Sequence, residues 1–335
     1  MEINIYVTRR CNLRCDYCYE KNWEGAENLD ISIEKCEKII NFIKKKLVEN
    51  NDKFLYVIFH GGEPLLNVSS ILYLIQETSK LKKSGVHVTY EMCTNGTIYS
   101  KEVEELLNKI NNLTISIDGK EDTHNKYRKA KNGDYKFCQT IKFITKLKDR
   151  SKVRARMTVL PDTARFLYDN ILYLDSLGFG FVSPSIDMFT RWDEKDFNEL
   201  YDQMQRVKKN IDKFNCKVGM IYDDNQKFKP LGKCQGGISD FTITTDGDIY
   251  PCLVSIGEKE FKIGSIHNQK MNQKLINDIM EISSKDNPSC GKCSFKKCCT
   301  SNRCKIINKV YSGMYEVPCK NECKLNNILY SLNKN

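Results

Sequence analysis

The chain has no run of about 18 apolar residues, so no helix of it is long and apolar enough to span a membrane. Its first residues, MEINIYV, lack the charged, then apolar, then small-residue order of an export signal and read as a strand. The expected location is therefore the cytosol. There is no internal repeat and no low-complexity linker. No basic stretch is interleaved with aromatics, so nucleic acid is not an expected partner. The net charge of +10 is spread through stretches such as NFIKKKLVEN and TKLKDRSKVR, which read as solvated helix faces. What is present is ordinary globular composition, 40% hydrophobic and 29% charged, in 335 residues. That length suits one large domain plus a smaller one, and the core needs no crosslinks.

Cysteine departs from this ordinariness. Sixteen are many for a reducing compartment, where clustered thiols are metal ligands or catalysts rather than disulfides. Three stand together in TRRCNLRCDYCYE, at Cys11, Cys15 and Cys18. A tetrahedral zinc site needs a fourth ligand, and no cysteine or histidine follows nearby; disulfides need pairs. Nine more fall between residues 234 and 323, in a stretch poor in hydrophobics that metal binding is expected to organise. By contrast Cys36, Cys93 and Cys138 read as small buried hydrophobes, and His124 as a surface turn residue.

Strand patterns at 3–7, 54–59, 86–93, 112–118, 152–160 and 179–188 alternate with helical ones, the first marked by Ile33, Cys36, Ile39, Ile40, Ile43 and Leu47. Alternation of this kind means parallel strands with helices outside. Six units are too few for a closed eight-stranded barrel, which leaves a partial barrel or a doubly wound sheet. In either, ligands gather at the carboxyl ends of the strands. The chemistry-rich pieces follow strand ends: the three cysteines, then GGEP, then CTNGT, then the DG at 118–119. After about residue 215 the pattern changes to DFTITTDGDIYPC, a hairpin with DG at its turn. The expected division is 1–215 and 216–335.

CNLRCDYC matches the CxxxCxxC signature of the radical S-adenosylmethionine (SAM) superfamily, with the aromatic Tyr17 before its last cysteine. The resemblance implies a [4Fe–4S] cluster on Cys11, Cys15 and Cys18 whose fourth iron is left for SAM. It implies that Gly61, Gly62 and Glu63 of GGEP meet the SAM amino group, with Thr94 and Asn95 of TNGT close by. Ser116 and Arg128 of SIDGKEDTHNKYR would hold the SAM carboxylate, with Asp118 near the ribose and Met157 to Leu160 near the adenine. CQGGISDFTITTDGDIYPC and CGKCSFKKCCTSNRC resemble the SPASM extension of these enzymes, which binds two auxiliary [4Fe–4S] clusters, three in all. The first auxiliary cluster would take Cys234, Cys252 and Cys304, with Cys216 reaching over or one iron open. The second would take Cys290, Cys293, Cys299 and Cys319, with Cys298 an alternative to Cys299 and Cys323 to Cys319. The fold implied is a partial (β/α)6 barrel followed by a cysteine-rich SPASM domain.

The activity implied is SAM cleavage to a 5′-deoxyadenosyl radical that abstracts hydrogen from a peptide or protein, with a flavodoxin- or ferredoxin-type electron donor. Two subclasses compete. Sulfatase-maturating members usually carry Cys-Asp after the second SPASM cysteine, whereas this chain has Cys252 followed by Leu253. That favours ribosomal-peptide maturases installing thioether or carbon–carbon crosslinks. Many of those carry an N-terminal recognition domain, and only ten residues precede Cys11, so leader recognition is expected to use a separate leader-recognition protein or the barrel and SPASM surfaces themselves. A non-catalytic iron–sulfur or zinc protein is the remaining alternative.

Overall fold

The computed structural model describes residues 1–22, 29–131, 133, 135–221 and 230–334. Its main sheet carries six parallel strands in chain order: β1 (Glu2–Thr8), β3 (Phe54–Gly61), β4 (His87–Thr94), β5 (Asn112–Ser116), β7 (Arg154–Val159) and β8 (Phe181–Ile186). Helices α1 (Ile33–Glu49), α2 (Val68–Ser79), α3 (Lys101–Leu107), α4 (Glu121–Tyr127), α5 (Phe137–Thr145) and α6 (Leu167–Ser176) fall between them. This is the partial-barrel α/β architecture expected from the alternation.

The strands are two-faced. On one face Ile3, Ile5, Leu55, Val57, Phe59, Met92, Ile115, Ala155 and Val182 are buried in the apolar core. The helices close that core with matching stripes, as α1 does with Cys36, Ile39, Ile40, Phe42, Ile43 and Leu47. Ser32 starts that helix by accepting from the Lys35 N–H at 3.3 Å. The opposite face is polar, with Asn4, His60, Glu91, Cys93, Ser116, Arg156 and Ser183 at alternating positions. A period of two sorts the strands this way because successive side chains leave a strand on opposite sides.

The sheet does not end with the six strands. β9 (Lys217–Val218) adds in parallel to β8. At the other edge β10 (Asp240–Ile243) adds in parallel to β1, placing Ile3 opposite Phe241. β11 (Asp248–Tyr250) and β12 (Gly264–Ser265) continue it antiparallel. The DG turn lies where the sequence puts it, with Gly247 at φ 87° and its N–H donating to the Thr244 carbonyl at 2.9 Å. The expected hairpin is therefore part of the main sheet, and Phe241 packs edge-on to Phe42 of α1 at 5.2 Å. Among the elements not legible in the periodicity are α4, β9, the two-stranded ribbon of β2 (Leu13–Cys15) with β6 (Arg128–Ala130), helix α7 (Glu194–Lys209), the two short helices between 300 and 312, and the terminal helix that begins at Lys320.

Beyond the sheet lie α8 (Gln273–Ser284), the single turn α9 (Thr300–Arg303), α10 (Lys305–Ser312) and α11 (Lys320–Lys334). Among the described residues no helix is long and apolar enough to cross a membrane. Because Phe241 is fully buried where the hairpin meets α1, Phe241→Ala is expected to cost about 3–5 kcal/mol. A urea titration followed by circular dichroism measures the loss.

Candidate active site

The chain leaves β1 at Thr8 and turns into the three-cysteine loop. Leu13 N–H donates to Cys11 Sγ at 3.4 Å, and Cys18 N–H to the Cys15 carbonyl at 3.2 Å. Burial pushes the Cys11 thiol up to about 12; the Leu13 N–H opposes this, while nearby Glu63, Cys15 and Cys18 add to it. The three thiols thus share one neighbourhood, and none is in a disulfide. A buried thiolate this costly forms when a metal takes the proton's place. The residues fit the implied cluster, whose fourth position has no cysteine beside it in the loop.

The two glycines of GGEP seat this loop. Gly62 N–H donates to the Thr8 carbonyl at 3.1 Å and Glu63 N–H to the Arg10 carbonyl at 2.8 Å. A Cβ on Gly62 would lie 2.6 Å from Arg10 O, and one on Gly61, at φ 153°, 2.4 Å from Thr8 O. Glycine is required because two backbones touch here. Glu63 is buried, and its carboxylate faces protein donors. Oε1 accepts from Thr94 Oγ1 at 2.7 Å and Leu65 N–H at 3.1 Å, and Oε2 from Asn95 N–H at 2.7 Å. Burial raises its pKa and those donors oppose the rise. Glu63 thus ties GGEP to TNGT. Asn12, which sequence reasoning passed over, closes the circuit: its Oδ1 accepts from Asn95 Nδ2 at 2.9 Å and its Nδ2 donates to Thr97 Oγ1 at 2.7 Å.

A second knot lies beyond β5. Asp118 is buried, and Arg128 grips it bidentately, Nε to Oδ2 at 2.8 Å and Nη2 to Oδ1 at 3.0 Å. Tyr17 OH donates to Oδ2 at 2.5 Å, and Thr158 N–H to Oδ1 at 2.9 Å. Burial works to raise the Asp118 carboxyl, yet the Arg128 guanidinium holds it below the usual carboxylate range. The Arg128 guanidinium also stands 5.3 Å over the Tyr17 ring. Because β2 and β6 pair with Cys15 opposite Arg128, the same arginine anchors the cysteine loop twice. Ser116 ends β5, its Oγ 3.4 Å from Cys93 Sγ.

The structure corrects two readings. His124 is not a surface turn residue: it is fully buried, its Nδ1 accepting from Asp118 N–H at 3.3 Å and its Nε2 sitting 2.7 Å from Tyr135 OH. Burial, then Arg128, lowers its pKa to about 3, so the ring is neutral. Cys138 is exposed on α5, whereas Cys36 is buried and Cys93 half-buried. Met157 lies in the apolar core with Ala155 and Val159, and Leu160 is buried just past the strand end. Arg156 and Thr158 occupy the polar face of that strand.

The later cysteines form two groups. Burial pushes Cys304 up to about 12, and neighbouring Cys252 and Cys234 add to it. Burial likewise brings Cys323 to about 12, with Cys299, Cys290, Cys319 and Cys293 adding. Cys319 and Cys323 therefore both stand with the second group. Cys299 is buried, and the adjacent Cys298 is half-buried with its N–H on the Phe295 carbonyl at 2.8 Å. Cys216 lies by β9, at the opposite end of the strand order from β10 and β11. It is buried against Asp175, whose Oδ1 accepts its N–H at 2.7 Å.

A family model for the radical SAM superfamily matches residues 5–165, and one for the SPASM iron–sulfur cluster-binding domain matches residues 234–300. The chain belongs to the radical SAM superfamily. Its SPASM match includes Cys234, Cys252, Cys290, Cys293, Cys298 and Cys299. It is 25% identical over 325 residues to a cysteine-type anaerobic sulfatase-maturating enzyme of Clostridium novyi, covering 88% of this chain and 85% of that one. It is 28% identical over 271 residues to the antilisterial bacteriocin subtilosin biosynthesis protein AlbA of Bacillus subtilis, covering 78% and 56%. The solved structure of native anSMEcpe with bound AdoMet and Kp18Cys peptide shares its fold at TM-score 0.77 and 18% identity, over 99% and 96% of the two chains.

Two outcomes follow from the geometry. Gly62→Ala forces apart the GGEP and cysteine backbones, so iron content is expected to fall by about four per chain, checked by iron and sulfide analysis. His124 is held neutral at about 3, against an ordinary value of 6.5. Its native pKa is depressed, so its contribution is full above about pH 6.5 and is lost as the pH falls from there toward 3. His60, lowered to about 4 chiefly by burial, acts in the same window. In an acid titration followed by circular dichroism, His124→Gln is expected to flatten the fall in stability.

Proposed function

We propose that the chain is a maturase of ribosomally made peptides, installing an oxidative thioether or carbon–carbon crosslink. The observation that carries this choice within the superfamily is Leu253 after Cys252. Leu253 opens a short 3-10 turn and supplies no carboxylate, where a sulfatase-maturating site would place its base. When bound, the iron–sulfur cluster and SAM supply one-electron cleavage of SAM and removal of a hydrogen atom from an unactivated substrate carbon.

The chain's own residues position and exclude. Cys11, Cys15 and Cys18 would hold the cluster, while Asn12 and the Gly62 and Glu63 N–H groups fix the loop against the strand ends. Ser116 and Arg128 would hold the SAM carboxylate, and the two later thiol groups would hold the auxiliary clusters. Those clusters are suited to accept the electron released when the substrate radical closes a bond. A flavodoxin- or ferredoxin-type donor and a separate leader-recognition protein are the proposed partners.

A sulfatase-maturating role is the second reading, favoured by the breadth of the match to the Clostridium novyi enzyme. Mass spectrometry of a cysteine-containing peptide separates the two. A crosslink removes two hydrogens and leaves no aldehyde, whereas formylglycine is captured by a hydrazine reagent.

Anaerobic incubation with SAM and dithionite is expected to yield 5′-deoxyadenosine. A Cys11→Ala, Cys15→Ala, Cys18→Ala variant is expected to lose that product while keeping about eight of about twelve irons. No product from an enzyme whose first cluster is intact and reduced would remove the SAM-cleaving reading.

A further inference from the structure

We infer that Lys305 is the counter-ion of the second auxiliary cluster: its buried ammonium, held between the Cys290 and Cys299 turns, favours the reduced form of that cluster. This rests on the reading of the later thiols as cluster ligands. Lys305 opens α10 directly after Cys304, yet it is only 3% exposed. A lysine is almost never buried to this extent unless its charge is compensated.

The placement comes from two asparagines. Lys305 Nζ donates to the Asn302 carbonyl at 2.8 Å and to Asn287 Oδ1. Asn287 precedes the 3-10 turn Pro288–Cys290, and its carbonyl accepts the Cys290 N–H at 2.9 Å. Asn302 lies on α9, and its N–H donates to the Cys299 carbonyl at 3.1 Å. The two asparagines are buried and bind each other, Asn302 Oδ1 accepting the Asn287 N–H at 2.8 Å. One ammonium therefore ties together the turns that carry two thiols of the second group. The first group stands apart. The thiols that act on Cys304 are Cys252 and Cys234, whereas the thiol that acts on Lys305 is Cys290.

Both acceptors are neutral. An ammonium has three donors, and among the described residues the third meets no acceptor and no carboxylate pairs with Lys305. Asp286, the carboxylate that acts most on it, is taken by Lys296 at 3.2 Å, Arg303 at 3.7 Å and Asn302 Nδ2 at 2.9 Å. A buried cation with no anion beside it is costly, so the fold holds a positive charge where a negative group is to bind. A thiolate-bound cluster is a net anion, and reduction adds one more negative charge. The ammonium therefore stabilises the reduced form more than the oxidised one, and its spare N–H is a donor for a cluster sulfur; charge and such hydrogen bonds both set the potential. The effect is to bias the electron released at the substrate toward the second cluster.

The test is a redox titration, followed by electron paramagnetic resonance, of the full-length Cys11→Ala, Cys15→Ala, Cys18→Ala variant, which keeps the auxiliary pair alone. The midpoint that disappears when Cys290→Ala and Cys293→Ala are added belongs to the second cluster. Lys305→Gln, which keeps a donor and removes the charge, is expected to make reduction of that cluster about tenfold less favourable, a fall of about 59 mV for one electron. The other midpoint is expected to stay, and Lys305→Arg to keep both. Loss of about four irons in Lys305→Gln but not in Lys305→Arg supports the same role, because charge then decides assembly. A second-cluster midpoint unmoved in Lys305→Gln would overturn the inference, as would an equal shift of both clusters or an equal fall in Lys305→Arg. Loss of the cluster from both variants would also overturn it, by assigning Lys305 to packing. The readings fail separately. Fewer than about eight irons in the triple variant removes the auxiliary-cluster reading itself, whereas eight irons with an insensitive midpoint removes the role of Lys305 alone.

Discussion

The buried pair of Asp118 and Arg128 is the interaction on which the site depends. Four donors converge on one carboxylate, drawn from Arg128 of β6, Tyr17 of the cysteine loop and Thr158 of β7. A pair this deep contributes little net stability, because desolvation offsets most of the attraction, yet removing one partner leaves an uncompensated charge at a cost of about 3–5 kcal/mol. Its value lies in geometry. It fixes a loop of thiols, which has almost no core of its own, to three strands at once.

Beside it stands a second carboxylate used in the same manner. Glu63 is bound by Thr94, Asn95 and Leu65, and Asn12 joins that circuit to the cysteine loop. Both acids sit in motifs that the family resemblance associates with SAM. In this chain each is occupied by protein donors: Glu63 ties GGEP to TNGT, and Asp118 ties its own segment to the cysteine loop and to β7. Ser116, Cys93, His60 and Arg156 face the polar side of the sheet, Ser116 Oγ 3.4 Å from Cys93 Sγ and His60 stacked on Tyr6.

The later segment depends on a different constraint. β10 extends the main sheet through β1, and Lys35 of α1 reaches the Thr245 carbonyl at 2.8 Å. The terminal helix α11 returns to α7, where Lys208 meets the Leu332 carbonyl and Lys324 pairs with Glu194. Between these ties the two thiol groups fall in short turns with few apolar residues. Burial pushes Cys304 and Cys323 to about 12. Metal binding there releases protons and adds directly to folding.

Much was determined by sequence alone. Period-two and period-3.6 patterns placed the six strands and the helices between them except α4, because burial of one face is a local property of the chain. CNLRCDYC, GGEP and TNGT marked the strand-end loops that meet, and the DG dipeptide marked the hairpin turn. Tertiary structure decided the rest. Nothing in the local pattern of DFTITTDGDIY says that it pairs with β1, more than 230 residues earlier, since a strand edge accepts any suitable partner. Nor does the sequence show that His124 is buried, or that Asp118 is held by Arg128, Tyr17 and Thr158 together. Those outcomes depend on which charges long-range pairing brings together, and charge compensation is a property of the assembled fold.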